Sequence, residues 1–239
     1  MKAPAIPPAA SQQNPRPVGP PKPSANPDEV YRRYLEGLLS GNRAQCRASF
    51  EQWRESNASL RALYEDLMQR ALYDVGELWE QGKISVATEH LATAISEGLL
   101  NLVTPELFAA PRVDQSAVIT STANEHHQIG GRMVADLFAA QGWRSHFLGA
   151  DTPLAGVLAL IAEKKPDVVA LSVALALNLP ATVTAALAIH AACPGRPILV
   201  GGQALRWGGA EQLEQLPGVQ CLSSLGELES WIKTATSHG

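Results

Sequence analysis

Cysteine is scarce in this chain. Cys46, Cys193 and Cys221 are the only three in 239 residues, widely separated and odd in number. Neither a disulfide framework nor a C-x-x-C metal pair is visible, and a reducing, cytoplasmic compartment is the expectation. No apolar run is long enough to span a bilayer, and the N-terminus lacks the apolar stretch of a signal peptide. Basic residues are outnumbered by acidic ones, 19 to 23, for a net charge of −4. The first 27 residues hold Lys2, Arg16 and Lys22 and no acid, so the remaining body carries 16 basic against 23 acidic residues, near −7. A body of that sign does not grip nucleic acid non-specifically; direct nucleic-acid binding is not expected, whereas a protein partner is compatible. No G-x-G-x-x-G follows the first predicted strand and no Walker A sequence is present, which removes the two commonest nucleotide cradles.

What is present divides into four parts. Residues 1–27 hold nine prolines among Ser, Gln, Asn and Ala, and read as a disordered or polyproline-like tail. Residues 28–105 carry helical periodicity. Asn26-Pro27 suits a helix start, and Val30, Tyr31, Tyr34, Leu35, Leu38 and Leu39 form a stripe. A second helix carries Cys46, Phe50 and Trp53. A third carries apolar residues at three and four from Leu60 to Trp79. A fourth, opened by Ser85, is expected to turn Ala87, His90, Leu91, Ala94, Ile95, Gly98 and Leu102 inward and to end at Pro105. Four helices with short links predict a bundle. Residues 106–115 look like a linker. Residues 116–239 alternate short apolar strands (117–120, 145–148, 168–173, 198–202 and a weak one at 219–222) with helical segments. That alternation predicts a parallel sheet covered on both faces, a flavodoxin-like (Rossmann-like) α/β domain.

The chemistry-bearing residues cluster at predicted strand ends. Asn124-Glu125-His126-His127-Gln128-Ile129-Gly130 follows the first strand, at the lip where open α/β sheets bind ligands. His127 can offer one ring nitrogen to a metal while Glu125, two residues earlier, holds the other and fixes the tautomer. A lone loop histidine is more often solvated; the acid before it and the glycine after it favour ligation. His126 is expected to face solvent. Gly130 lets a flat ligand approach the backbone. Ser172 ends the third strand, either extending a Ser–carboxylate–His relay, bonding a ligand tail or merely capping its own loop. Gly149-Ala150-Asp151-Thr152 and Gly201-Gly202 add small-residue loops that are otherwise ordinary turns. In the helical part, nine residues separate Trp79 from Glu89-His90, so all three can sit at one end of the bundle. Taken singly, Trp79 and His90 read as core and Glu89 as a solvated helix residue.

The arrangement resembles the cobalamin-binding, light-sensing region of CarH-type transcriptional regulators over about residues 28–235. The carrying residues are Trp79 through Glu89-His90, Glu125-x-His127-x-x-Gly130, Leu148-Gly149-Ala150-Asp151-Thr152-Pro153, Leu171-Ser172 and Gly201-Gly202-Gln203. The Glu-x-His-x-x-Gly run fits any corrinoid protein; the spacing from Trp79 to Glu89-His90 is more specific. The resemblance implies base-off cobalamin with His127 as lower ligand to cobalt, and a nucleotide tail threaded past Ser172 and Gly201-Gly202. It further implies adenosylcobalamin as the favoured form, hydroxo- or methylcobalamin being alternatives, with the adenosyl group beneath Trp79, Glu89 and His90. Light would cleave the cobalt–carbon bond and shift the bundle, changing oligomerisation or partner binding without catalytic turnover.

The chain departs from that family twice. The 27 residues before the bundle are too few for the family's winged-helix DNA-binding domain, so action through self-association or a protein partner such as a transcription regulator is expected, as in stand-alone antirepressors of the AerR type. The family's histidine directly after the tryptophan is Glu80 here, which leaves His90 and His126 as candidates for a second cobalt ligand. A corrinoid methyl carrier and a cobalamin-based redox or gas sensor are the alternatives; a mutase is disfavoured because no substrate barrel fits the remaining residues.

Overall fold

Helix boundaries in the first part follow from side-chain caps. In the computed structural model, which describes residues 26–56 and 58–237, Asn26 accepts from the Asp28 amide and Pro27 occupies the first turn of α1, Pro27–Ser40. The expected tail therefore lies outside the described residues except for its end. Gly41, left-handed at φ 69°, stops α1, and Asn42 caps α2, Arg43–Glu55. Tyr34 and Leu38 of α1 pack on Cys46 and Phe50 of α2 in one apolar core. A Cβ on Gly37 would come within 2.7 Å of the Cys46 sulfur, so a glycine there permits the close approach of the two helices.

The third predicted helix is continuous but not uniform. It begins as α3, Leu60–Ala62, passes through a π-helical stretch, Leu63–Gln69, and continues as α4, Arg70–Glu80. Ser85 caps α5, Val86–Leu100. Here the structure corrects the expected phase. Ala92, Ile95, Ser96, Leu99 and Leu100 are buried, whereas Ala87, His90, Leu91, Ala94 and Gly98 are exposed. The helix is apolar on more than one side, so periodicity alone leaves its rotation open. The rotation observed satisfies a polar pair: buried Ser96 meets the Tyr34 hydroxyl at 3.1 Å. The expected linker is also corrected at its start. After a 3₁₀ turn, Asn101–Val103, a short helix α6, Thr104–Leu107, carries Pro105 within its first turn and buries Leu107. Proline is tolerated in a first turn because the N–H it lacks has no intrahelical acceptor there.

Five strands follow: β1 Ser116–Ser121, β2 Arg144–Phe147, β3 Val168–Ser172, β4 Ile198–Gly201 and β5 Val219–Leu222. They alternate with α7 Ile129–Ala140, α8 Leu154–Lys164, α9 Leu179–Ala192, α10 Ala210–Glu214 and α11 Leu225–Ser237. All pairings are parallel, in the order β2-β1-β3-β4-β5. The chain reverses direction across the sheet between β1 and β3, the crevice where doubly wound sheets take ligands. Register brings Ser121, Ser172, Gly201 and Leu222 side by side along the carboxyl lip.

Alternation along the strands assigns two cores. Ala117, Ile119, Ala170 and Leu199 face α7, α11 and the helical part. Val118, Val169, Leu171 and Val200 face α8, α9 and α10. The helical part thus shares one continuous core with one face of the sheet, and polar contacts pin the junction. Tyr64 Oη donates to buried Asp136 Oδ2 at 2.8 Å, and Gln128 Nε2 donates to Glu97 Oε1 at 2.9 Å. No helix among the described residues is long and apolar enough to cross a membrane.

Candidate functional site

The loop between β1 and α7 is shaped by its neighbours on the lip. Asn124 adopts a left-handed conformation, φ 66°. Its amide donates to Asp151 Oδ1 at 2.8 Å, and the Asp151 amide donates back to the Glu125 carbonyl at 2.9 Å. Thr152 Oγ1 donates to the Leu148 carbonyl at 3.3 Å. Asp151 therefore braces the loop that carries the predicted ligand, and Thr152 ties down the loop that carries Asp151.

Glu125 is the centre of that loop. Its side chain is fully buried, and every polar approach to it is a donor. Oε1 accepts the His127 amide at 3.1 Å and meets His127 Nδ1 at 2.6 Å. Oε2 accepts from the amides of Ala174 and Leu175, at 2.9 and 3.1 Å, and from Asn178 Nδ2 at 3.0 Å. Burial pushes the Glu125 carboxyl up, but hydrogen bonds from the His127 ring, Asn178 and the backbone outweigh it, and its pKa falls to about 2. The pKa of His127 is raised, first by its bond to Glu125, against its own burial, and further by the charges of Glu125 and Glu89. With Nδ1 held, Nε2 is the nitrogen left to act; it has no hydrogen bond among the described residues, and the side chain is half exposed. Neighbouring His126 is exposed, as its position beside His127 predicts.

Asn178 escapes sequence reasoning. It lies 53 residues from Glu125, in the 3₁₀ turn Ala176–Asn178 that leads into α9. Asn-Leu-Pro is legible as a helix start, but nothing local says that the amide reaches back to a carboxylate. The expected Ser172–Glu125–His127 relay is not formed: among the described residues, Asn178 and two backbone amides take the place given to Ser172. Strand parity is the reason. Ser172 points with Ala170 to the α7 face of the sheet, whereas Glu125 turns into the loop after β3.

On the α7 face Ser172 lines a cavity of about 230 Å³ together with Ile119, Gly201, Gly202 and Leu225. Gly130 opens α7 close above it: a Cβ there would meet Ser172 Oγ at 3.3 Å. Gly202 is obligatory on two grounds, a φ of 129° and a would-be Cβ 2.1 Å from the Val173 carbonyl oxygen. The far side of the mouth is formed by Gln69 and Tyr73 of the helical part.

The predicted cap residues behave differently. Trp79 is 45% exposed and the His90 side chain is 76% exposed, so neither is core. Glu89 accepts from Thr93 Oγ1 at 3.1 Å, and its charge is felt at His127. With Glu97 bonded to Gln128 about two helical turns further on, α5 is brought to the loop between β1 and α7. The structure thus joins Glu125 to His127, with Glu89 near enough for its charge to raise the His127 pKa, and gathers Ser172, Gly130, Gly201 and Gly202 around the cavity. Trp79 and His90 stand at the same end of the helical part without a described partner on the lip.

These residues fit a corrinoid: one held imidazole with a free nitrogen, glycines that keep the backbone bare, and a cavity beside them. No group of three or more His, Cys, Asp or Glu side chains forms a metal site among the described residues. Comparison with known proteins points the same way. Residues 30–104 match one family described as a B12 binding domain, and residues 115–227 match a second with the same description. The HTH-type transcriptional repressor CarA of Myxococcus xanthus is 36% identical over 127 residues, 52% of this chain and 43% of that protein. The HTH-type transcriptional repressor CarH of the same organism is 29% identical over 145 residues, 60% of this chain and 48% of that protein. The chain therefore spans less than half the length of these curated relatives. The monomethylamine corrinoid protein of Methanosarcina barkeri superposes with a TM-score of 0.75 over 90% of this chain and all of its own, at 15% identity, a likeness of fold. Site geometry and sequence matches converge on one statement: this chain contains a cobalamin-binding region, made of a helical part followed by an α/β part.

Proposed function

We propose that this region is a regulatory module that binds adenosylcobalamin and responds to light, acting in the cytoplasm through self-association or a protein partner and not through catalytic turnover. The observation that carries its cobalamin part is the fully buried Glu125, which is fixed by five hydrogen bonds, one of them to His127 Nδ1, and leaves Nε2 open at the β1–β3 crevice. In this reading His127 would hold cobalt, Ser172, Gly201 and Gly202 would line the space for the nucleotide tail, and Trp79, Glu89 and His90 would cover the bound group. Bound adenosylcobalamin supplies a light-labile cobalt–carbon bond. The protein's own part is to hold the imidazole by Nδ1 with Nε2 left open, and to let the α4–α5 end shift when the group it covers changes. The regulatory assignment is supported by the likeness to two transcriptional repressors.

The test is absorption and gel filtration of protein reconstituted with adenosylcobalamin, in the dark and after green light. A spectral change accompanied by a change in elution volume is expected. Binding and photolysis with an unchanged elution volume would overturn the regulatory reading in favour of a methyl carrier or a redox or gas sensor, and methyl transfer would then be assayed.

A further inference from the structure

The mouth of the cavity carries a feature that cobalt ligation does not use. Among the described residues that line the cavity, Arg206 is the only charged one. It sits in the 3₁₀ turn Gln203–Trp207, set between Gly202 and the positive-φ pair Gly208 and Gly209. It forms no ion pair among the described residues; its guanidinium instead lies over the Tyr73 ring, 4.9 Å from the centroid. Tyr73 belongs to α4, in the helical part, and its hydroxyl accepts from Gln69 Nε2 at 2.9 Å. The neighbouring polar groups are already committed: the Ser223 amide and hydroxyl both donate to Glu227, and Ser224 Oγ accepts the Glu227 amide. Arg206 is thus the cation at this mouth with donors to spare.

Stacking leaves a guanidinium's in-plane N–H groups free, so an arginine can rest on an aromatic face and bind a phosphate oxygen at the same time. The tail of cobalamin carries one anionic group, its phosphodiester. A second observation links the pair to the helical part as a whole. Tyr64 and Tyr73 lie nine residues apart, which in a regular α-helix puts them about 180° apart around the axis. The intervening π-helical stretch, Leu63–Gln69, rewinds the helix. Both tyrosines then face the α/β part, Tyr64 on Asp136 and Tyr73 on Arg206.

Resting on the cobalamin reading above, we infer that Arg206, held face-on by Tyr73, binds the phosphodiester of the inserted nucleotide tail and so couples tail insertion to the helical part. Arg206 is then a specificity residue for complete corrinoids, and Tyr73 is the residue that positions it.

The test compares binding of cobalamin with binding of cobinamide, which ends before the phosphate, by wild-type protein, Arg206→Gln and Tyr73→Leu, alongside amide hydrogen exchange across α4. Arg206→Gln is expected to weaken cobalamin binding about tenfold, the range of one charge-assisted hydrogen-bonding group, and to leave cobinamide binding unchanged. Wild-type protein is expected to gain protection in Arg70–Glu80 on binding cobalamin, and Tyr73→Leu to lose that gain while still binding. Equal losses for the two corrinoids, or no loss for either, would overturn the phosphate assignment. An undiminished gain of protection in Tyr73→Leu would overturn the coupling. Failure of wild-type protein to bind any corrinoid would instead defeat the cofactor reading itself, so the two failures are separable.

Discussion

The two sides of the candidate site are built to different standards. Below, Glu125 is fully buried and saturated with donors, and it fixes one histidine nitrogen while leaving the other open. Above, Trp79, Val86, His90 and Leu91 are exposed, and the bonds among the described residues there are sparser: Glu89 accepts from Thr93 Oγ1 and lies 3.6 Å from His90 Nε2. A buried, fully satisfied carboxylate network is rigid because each lost donor is costly. An exposed apolar helix end has little holding it against its own part of the protein. The contrast describes a site whose floor is preorganised and whose roof is completed by what it covers, which is the division a ligand-dependent switch needs.

The strongest way to break this comparison is at the floor. Glu125→Ala strands the Ala174 and Leu175 amides without their acceptor and leaves the Asn178 side-chain amide only the Asn124 carbonyl, and is expected to cost about 3 kcal/mol of stability in urea unfolding. A loss below about 0.5 kcal/mol would mean that the floor is no firmer than the roof. His127→Ala is expected to spare most of the stability and to lower cobalamin affinity on the order of 100-fold, with a changed absorption spectrum. A wild-type spectrum in that variant would remove His127 from the ligand role.

The pair also predicts two opposed pH trends. The Glu125 carboxyl is lowered in the folded protein from 4.5 to about 2, so its contribution to stability is present above about pH 4.5 and is lost as pH falls toward 2. His127 is raised above its ordinary 6.5, so its contribution is complete below that value and fades as pH rises through the raised one. Ligation needs the imidazole unprotonated at Nε2. Cobalamin affinity should therefore climb over the interval in which apoprotein stability declines, as titrations of binding and of unfolding free energy would report. Parallel trends would contradict the assignment.

Smaller effects sharpen the boundary. Tyr64→Phe removes the bond to Asp136, whose carboxyl is raised by burial against that bond and Arg132. A loss of about 1 kcal/mol is expected, without change in the spectrum of bound cobalamin. Trp79→Ala should alter apoprotein stability by less than about 0.5 kcal/mol, because the ring is half exposed, yet disturb binding of adenosylcobalamin more than of hydroxocobalamin. Equal effects on the two forms would make Trp79 a packing residue.

Much of this was legible in the sequence, and what escaped has a physical cause. Alternating apolar strands and amphipathic helices predict the parallel sheet because its central strands, β1 and β3, are buried on both faces. Glu125-x-His127-x-x-Gly130 is readable because its partners are two and three residues apart, close enough for local geometry to decide them. The rotation of α5 is not, since its apolar residues surround the axis and the choice falls to Tyr34 and Ser96, 62 residues apart. Asn178 and the Tyr73–Arg206 stack are likewise invisible, because each joins residues that only the finished fold brings together. For Ser172 the sequence predicts the lip but leaves relay, ligand tail and loop cap open: strand ends are predictable, but which face a terminal residue serves depends on the pleat.

The central claim is that cobalt is held by His127 Nε2 and not by the cofactor's own base. Electron paramagnetic resonance of protein loaded with cob(II)alamin tests it, using protein made with histidine that carries the heavier, spin-one-half nitrogen isotope. The account predicts cobalt lines split into doublets by a protein nitrogen, a splitting that is absent from His127→Ala. Lines split into triplets by the unlabelled benzimidazole nitrogen, identical in both proteins, would contradict it.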